Sequence, residues 1–214
     1  MKYKLTFLLD DKNNWIRKYL DKFDFKLRNK FLIQIQNNYK VIKKQDLVFA
    51  LSYTKILPES FLKKNKLTLV VHASKLPKDR GFAPLTYQVL KNSKKIYFSL
   101  FEAVKNVDAG NIFLIGKLKL NGTELYDELR AKQAETILNL IKKFLLKYPI
   151  IKSSKQKGVT SYNKRRYPKD SKLDINKNIK SQFNLLRVSD NEKFPTYFYY
   201  KKKKYILKIF KVKK

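Results

Sequence analysis

The chain has a single histidine, and that residue stands where chemistry could be done. His72 closes the apolar run LVVH at 69–72 and opens the loop ASKLPKDRGFAP at 73–84, which is punctuated by Pro77, Gly81 and Pro84. Asp108 follows in the turn VDAG at 107–110. An imidazole that titrates near neutrality, set beside a carboxylate, can move a proton, orient a water or stabilise a developing charge. Open α/β sheets gather such groups from the ends of different strands. The spacing by itself leaves a second reading open, in which His72 is an interior histidine satisfied by its neighbours.

Other chemistries lack their parts. With no cysteine there are no disulfides, thiolate nucleophiles or cysteine-based zinc sites, and one histidine leaves little for a transition metal, so no metal is expected. Only five glycines are present, and none forms a phosphate loop of the Walker or dinucleotide kind, which argues against kinase, NTPase and NAD-dependent readings. No run reaches the ~18–20 apolar residues that span a bilayer, and MKYK leads straight into a short strand. The expectation is a cytoplasmic protein without a signal peptide or membrane partner.

The formal charge of +33 would ordinarily suggest nucleic acid. Here lysine is spread from end to end, with abundant asparagine and isoleucine, a pattern of composition more than of a binding patch. Nucleic acid is therefore not the expected partner. The field still attracts anionic small molecules.

The elements that must position His72 and Asp108 follow from periodicity. Residues 3–9, 31–35, 46–52 and 67–72 read as near-continuous apolar strands of a sheet covered on both faces. A helix is predicted from Asn13 and Asn14 onward, with Trp15, Ile16, Tyr19, Leu20 and Phe23 at helical spacing, and a short one over 58–65. Pro84 opens another over 83–91, strands at 95–101 and 111–120 flank Asp108, and 123–147 is the longest amphipathic helix, with Thr123 at its start. Beyond Pro149 the chain turns polar and basic. An extended segment at 150–171, a short helix at 179–188 and a terminal hairpin around Lys201 to Lys204 are expected. The boundary is placed as 1–149 for the main domain and 150–214 for an extension packed on it.

The residues His72, Ser74, Leu76, Pro77, Arg80, Gly81, Pro84, Asp108 and Gly110 together resemble the central pattern of the formyltransferase family, which moves a folate-borne formyl group to an amine. The segments LSYTKILP at 51–58, FSLFEA at 98–103, YNKRRYPKD at 162–170 and QFNLLRVSD at 182–190 are most similar to the small sugar-nucleotide N-formyltransferases. The resemblance implies an α/β, Rossmann-like, mostly parallel sheet flanked by helices, with a small C-terminal helix and β-hairpin extension. It implies N10-formyltetrahydrofolate as formyl donor and a nucleotide-linked aminodeoxysugar as acceptor, for surface glycan biosynthesis.

By the same resemblance His72 and Asp108 are the catalytic pair, His72 as base or oxyanion partner and Asp108 as its orienting or relaying group. Folate is expected against Ser52, Tyr53, Thr54, Lys55, Ile56 and Leu57 and against Val104 and Val107. The acceptor is expected near Ser74, Lys78, Arg80 and Phe82, with Asn14 offering a helix N-terminus to a phosphate. Where the family places an oxyanion-stabilising asparagine two residues before the histidine, this chain has Val70. Alternatives are a methionyl-tRNA formyltransferase-like enzyme, against which the sixty-odd residues after Pro149 argue, and a non-catalytic nucleic-acid-binding protein on the same fold. A homodimer through the C-terminal segment is one assembly open to the chain, whose oligomeric state the sequence does not fix.

Overall fold

The computed structural model describes residues 2–11, 14–21, 23 and 25–212. Its centre is a six-stranded sheet built from β1 (Tyr3–Leu8), β2 (Phe31–Gln36), β3 (Leu47–Ala50), β4 (Leu67–His72) and, after a two-residue strand β5 (Arg80–Gly81), β6 (Lys95–Glu102) and β7 (Ile112–Lys119). The order is β2-β1-β3-β4-β6-β7. The first four strands run parallel, β6 is antiparallel to β4, and β7 is antiparallel to β6. This is the mostly parallel, helix-flanked sheet expected from the sequence.

Alternate residues of each strand go to opposite faces, and both faces are covered. On one, Phe7, Phe49, Leu69, Phe98 and Leu100 pack against Ile137, Ile141 and Phe144 of the long helix α4 (Tyr126–Lys147), numbered after α1 (Arg17–Leu20), α2 (Glu59–Lys64) and α3 (Pro84–Leu90). Phe144 is edge-on to Phe49 and Phe113. On the other face Leu8 and Val48 meet Phe61 of α2, while Val70 and Phe101 meet Leu76 of the loop after β4. His72 belongs to this second face, in phase with Val70.

Two predicted helices start later than their patterns suggest. The first is only the four residues of α1, because Asn14 turns its side chain to the Ile16 N–H and the Ser52 carbonyl, and Trp15 reaches Ser52 Oγ. Asn13, the other half of that predicted start, lies outside the described residues. Helix α4 begins at Tyr126, not Thr123. Thr123 is held by Asn121, and the reaching-back carboxylate of Glu128 accepts the Leu125 N–H at 2.8 Å to close the helix end.

After α4 the chain runs back over the first part as a strap. The strap includes β8 (Tyr162–Asn163), which pairs with β5, and leads to α5 (Ile179–Val188) and the hairpin of β9 (Thr196–Tyr200) and β10 (Lys203–Leu207). Arg187 of α5, 2% exposed, anchors this extension. Its Nη2 donates to Glu124 Oε2 at 3.1 Å and its Nε to the Glu124 carbonyl at 3.0 Å. Burial would raise the Glu124 carboxyl, but hydrogen bonds from the Asn121, Gly122 and its own backbone N–H groups and from Lys132 outweigh it and hold the pKa at about 2.

Candidate active site

His72 stands at the last residue of β4, 8% exposed. Its Nε2 is 2.7 Å from the carbonyl oxygen of Asp79. A carbonyl only accepts, so Nε2 carries the proton, and the lone pair of a neutral ring is left on Nδ1. Nδ1 faces Asp108 Oδ2 at 3.8 Å. The same carboxylate oxygen accepts the Gly81 N–H at 2.9 Å. The arrangement suits Nδ1 to take up a proton, with the carboxylate beside it to stabilise the resulting imidazolium.

The backbone that delivers these groups is tightly constrained. Asp79 and Asp108 both have positive φ, 55° and 54°. A Cβ on Gly110 would lie 1.8 Å from the Glu102 carbonyl oxygen, and one on Gly81 would lie 2.7 Å from that of Asn163. Both motif glycines are therefore there for close backbone approach.

The strap supplies the second half of the scaffold. Ser161 accepts the Arg80 N–H on its carbonyl at 2.8 Å and the Asp79 N–H on its Oγ at 2.9 Å, so it fixes the residue that fixes His72. Gln156 donates from one amide nitrogen to the carbonyls of Asp108 and Gly110, both at 2.8 Å, and accepts from Arg80 Nη2 at 2.6 Å. Sequence reasoning missed Gln156. It is one polar residue in a lysine-rich stretch, with no periodicity or motif spacing to single it out.

A cleft of about 790 Å³ opens beside this centre. It includes Phe82, the residue after Gly81, and is lined among others by Asp10, Asp11, Asn14, Trp15, Tyr126, Arg130, Arg165 and Asp190. The Arg130 guanidinium lies 4.7 Å from the Trp15 ring centre and 5.0 Å from that of Tyr126, and Arg165 lies 5.8 Å from Phe82. Burial pushes the Tyr126 phenol up, against the opposing pull of Arg130. Trp15, half-buried against the core, presents its other face as a wall of the cleft.

The sequence-predicted residues divide between two regions. Asn14 and Phe82 line the cleft, but Asn14 does so from a loop, since α1 is a single turn that starts after it. Ser52 and Thr54, expected at folate, also line this cleft; Thr54 is clamped by Asp10 through its N–H and Oγ1. Arg80 is held by Gln156 and Tyr162, and Lys78 is exposed. Ser74 is buried and spends its hydroxyl on the Lys78 carbonyl at 2.7 Å, so it shapes the loop and does not line the cleft.

The second region lies between the residues after β3 and the turn before Asp108. Ile56 and Val107 are 79% and 56% exposed, unusual for such side chains, and Lys55 and Val104 are exposed beside them. Tyr53 and Leu57 are half-buried against Leu8 and Phe61. The two segments approach each other where Lys105 Nζ comes within 3.9 Å of Glu59 Oε2. Among the described residues no group of three or more His, Asp or Glu is placed to hold a metal ion, and no helix is long and apolar enough to cross a membrane.

The fold is a doubly covered, mostly parallel α/β sheet that sets a histidine and an aspartate side by side at a strand end. The chain belongs to the formyl transferase family, whose N-terminal model matches residues 6–143. It is 32% identical over 149 residues to the bifunctional polymyxin resistance protein ArnA of Wigglesworthia glossinidia brevipalpis, covering 68% of this chain and 23% of that one. Over 117 residues it is 38% identical to the methionyl-tRNA formyltransferase of Mycoplasmopsis pulmonis, covering 53% of this chain and 40% of that one. The chain thus spans well under half the length of these two curated relatives.

The fold is shared with methionyl-tRNA formyltransferase from Clostridium thermocellum (TM-score 0.83, 21% identity, 99% of this chain and 94% of that one). It is shared too with HypX from Aquifex aeolicus, solved with tetrahydrofolic acid (0.75, 18%, 98% and 38%). A 4-N formyltransferase from Francisella tularensis is similar over nearly its whole length (0.74, 16%, 98% and 99%).

Proposed function

We propose that the protein transfers a formyl group from N10-formyltetrahydrofolate to the exocyclic amine of a nucleotide-linked aminodeoxysugar, with His72 and Asp108 as its catalytic pair. The cleft carries the acceptor half of this reading. Its volume of about 790 Å³ is within the usual range for small-molecule sites, roughly 300–1,000 Å³. Its walls combine aromatic rings for a base, arginines for phosphates, and Asp10, Asp11 and Asp190 for hydroxyls or an ammonium.

The residues present fit the folate. Ile56, Val104 and Val107 offer exposed apolar surface for a ring system. Beneath them Thr68 Oγ1 is buried without a partner, on the strand residue whose carbonyl accepts the Ala103 N–H. The bound folate supplies a formyl group attached to nitrogen and takes a proton on that nitrogen as it leaves. As the amine–carbon bond forms and the carbon–folate nitrogen bond breaks, His72 Nδ1 takes the proton from the attacking amine and returns it to the departing nitrogen, Asp108 holds the imidazolium in between, and the Asp79 carbonyl keeps Nε2 protonated throughout.

The test is calorimetry with a non-reactive formyltetrahydrofolate analogue at low and high salt, followed by turnover with a panel of uridine, thymidine, guanosine and cytidine diphosphate aminodeoxysugars beside methionyl-tRNA. One-to-one binding that survives salt, with formylation of a sugar in the panel, is expected. Formylation of methionyl-tRNA alone overturns the acceptor assignment, and loss of all folate binding overturns the donor site.

A further inference from the structure

The geometry points to Gln156 as a positioning residue for formyl transfer, one that sets the placement of Asp108 against His72 from outside the catalytic domain. This rests on the catalytic roles proposed above. A primary amide has two N–H donors and one carbonyl acceptor, and all three are used here on the two active-site loops. The donors hold the carbonyls of Asp108 and Gly110 at 2.8 Å each, and the acceptor holds Arg80 Nη2 at 2.6 Å. The clamp therefore ties the turn that carries the carboxylate to the loop whose Gly81 N–H binds that carboxylate at 2.9 Å.

Asp108 needs such a restraint. Its backbone has φ of 54°, in the left-handed region that a residue with a Cβ keeps where its surroundings hold it there. Gly110, two residues on, is pressed against the Glu102 carbonyl. Without the amide between their carbonyls, the turn can relax and move Oδ2 from its place 3.8 Å from Nδ1. A displacement of about 1 Å at a reacting centre can cost on the order of 100-fold in rate. Gln156 touches neither ring nor carboxylate, so its effect passes through Asp108.

Two substitutions separate positioning from tethering. Gln156→Ala removes all three bonds. Gln156→Glu keeps the Arg80 bond, now charge-assisted, but sets a carboxylate oxygen against two carbonyl oxygens. Because the chain has one histidine, its ring ¹⁵N resonances report on His72 alone, in free protein and without any acceptor. Both variants are expected to shift the Nδ1 resonance and keep folate-analogue affinity within about twofold. With N10-formyltetrahydrofolate and a uridine diphosphate 4-amino-4-deoxypentose as probe, kcat is expected to fall about 10- to 100-fold while KM for the folate stays put.

Wild-type kcat and an unmoved His72 signal in the folded Gln156→Glu protein would show that the side chain only tethers the strap, and would overturn the inference. If the wild-type protein formylates none of the aminodeoxysugars in the panel above, the acceptor reading fails on its own. The imidazole signal then still decides whether Gln156 positions Asp108.

Discussion

Asp108→Asn is the sharpest test of the catalytic pair, because the structure says what it changes and what it leaves. Asparagine Oδ1 can still accept the Gly81 N–H now held at 2.9 Å, so the loop keeps its anchor. That same oxygen is the one that faces Nδ1 of a neutral His72, so the ground-state contact is kept with an uncharged amide in place of the carboxylate. What is lost is the negative charge 3.8 Å from Nδ1 at the moment the ring becomes cationic. At an effective dielectric of ~20 that attraction is worth about 4 kcal/mol, or roughly 10³ in rate. Single-turnover kinetics with saturating N10-formyltetrahydrofolate and acceptor, beside folate affinity by calorimetry, would measure it. Unchanged affinity with kcat down about 10³-fold is expected. A loss under tenfold would mean that no charge develops on His72 in the transition state, and the base assignment would fall.

Four other substitutions probe the scaffold and the site. Arg187→Ala strips the buried Glu124 carboxylate of its guanidinium and should destabilise the protein by about 3–5 kcal/mol, seen as a lowered urea midpoint; a change below 0.5 kcal/mol would show the extension is not anchored there. Glu124, with its folded pKa depressed to about 2, contributes stability that is fully present above about 4.5 and fades as pH falls toward 2. At about 1.4 kcal/mol per unit that contribution is about 3 kcal/mol, and Glu124→Gln should flatten the acid limb of the stability profile. Gly110→Ala forces a methyl into the Glu102 carbonyl and should abolish turnover or folding, so an active, stable variant would contradict the backbone geometry. Val70→Asn places a hydrogen-bond donor two residues before His72 and should raise kcat, with about 10²–10³ as the ceiling for one oxyanion donor; a lower kcat in a folded protein would mean the site needs none there.

The parts legible in the sequence are those where local pattern and long-range packing agree. Strand β4 and helix α5 have the bounds their apolar periodicity predicts, and the sheet's two covered faces follow from runs such as LVFA at 47–50. His72 and Asp108 were found through motif wording, since nothing local to either residue brings them together. The first helix is shorter than its helical spacing predicts, because the contacts that hold Asn14 and Trp15 outside it come from Ser52, just after β3. Periodicity carries no information about such a partner.

The strap explains why the extension was hardest to read. Its function depends on hydrogen bonds to chain segments far away, so polar residues such as Gln156 and Ser161 look locally like any solvated loop. Their partners, Asp79, Arg80, Asp108 and Gly110, belong to the two loops that meet at His72. The apolar strands could form a sheet without them, but two backbones in positive-φ conformations have little reason to stay there unaided. The extension, fixed at one end by Arg187 on Glu124 and threaded at the other through β8 and Gln156, completes the geometry that the first half of the chain begins.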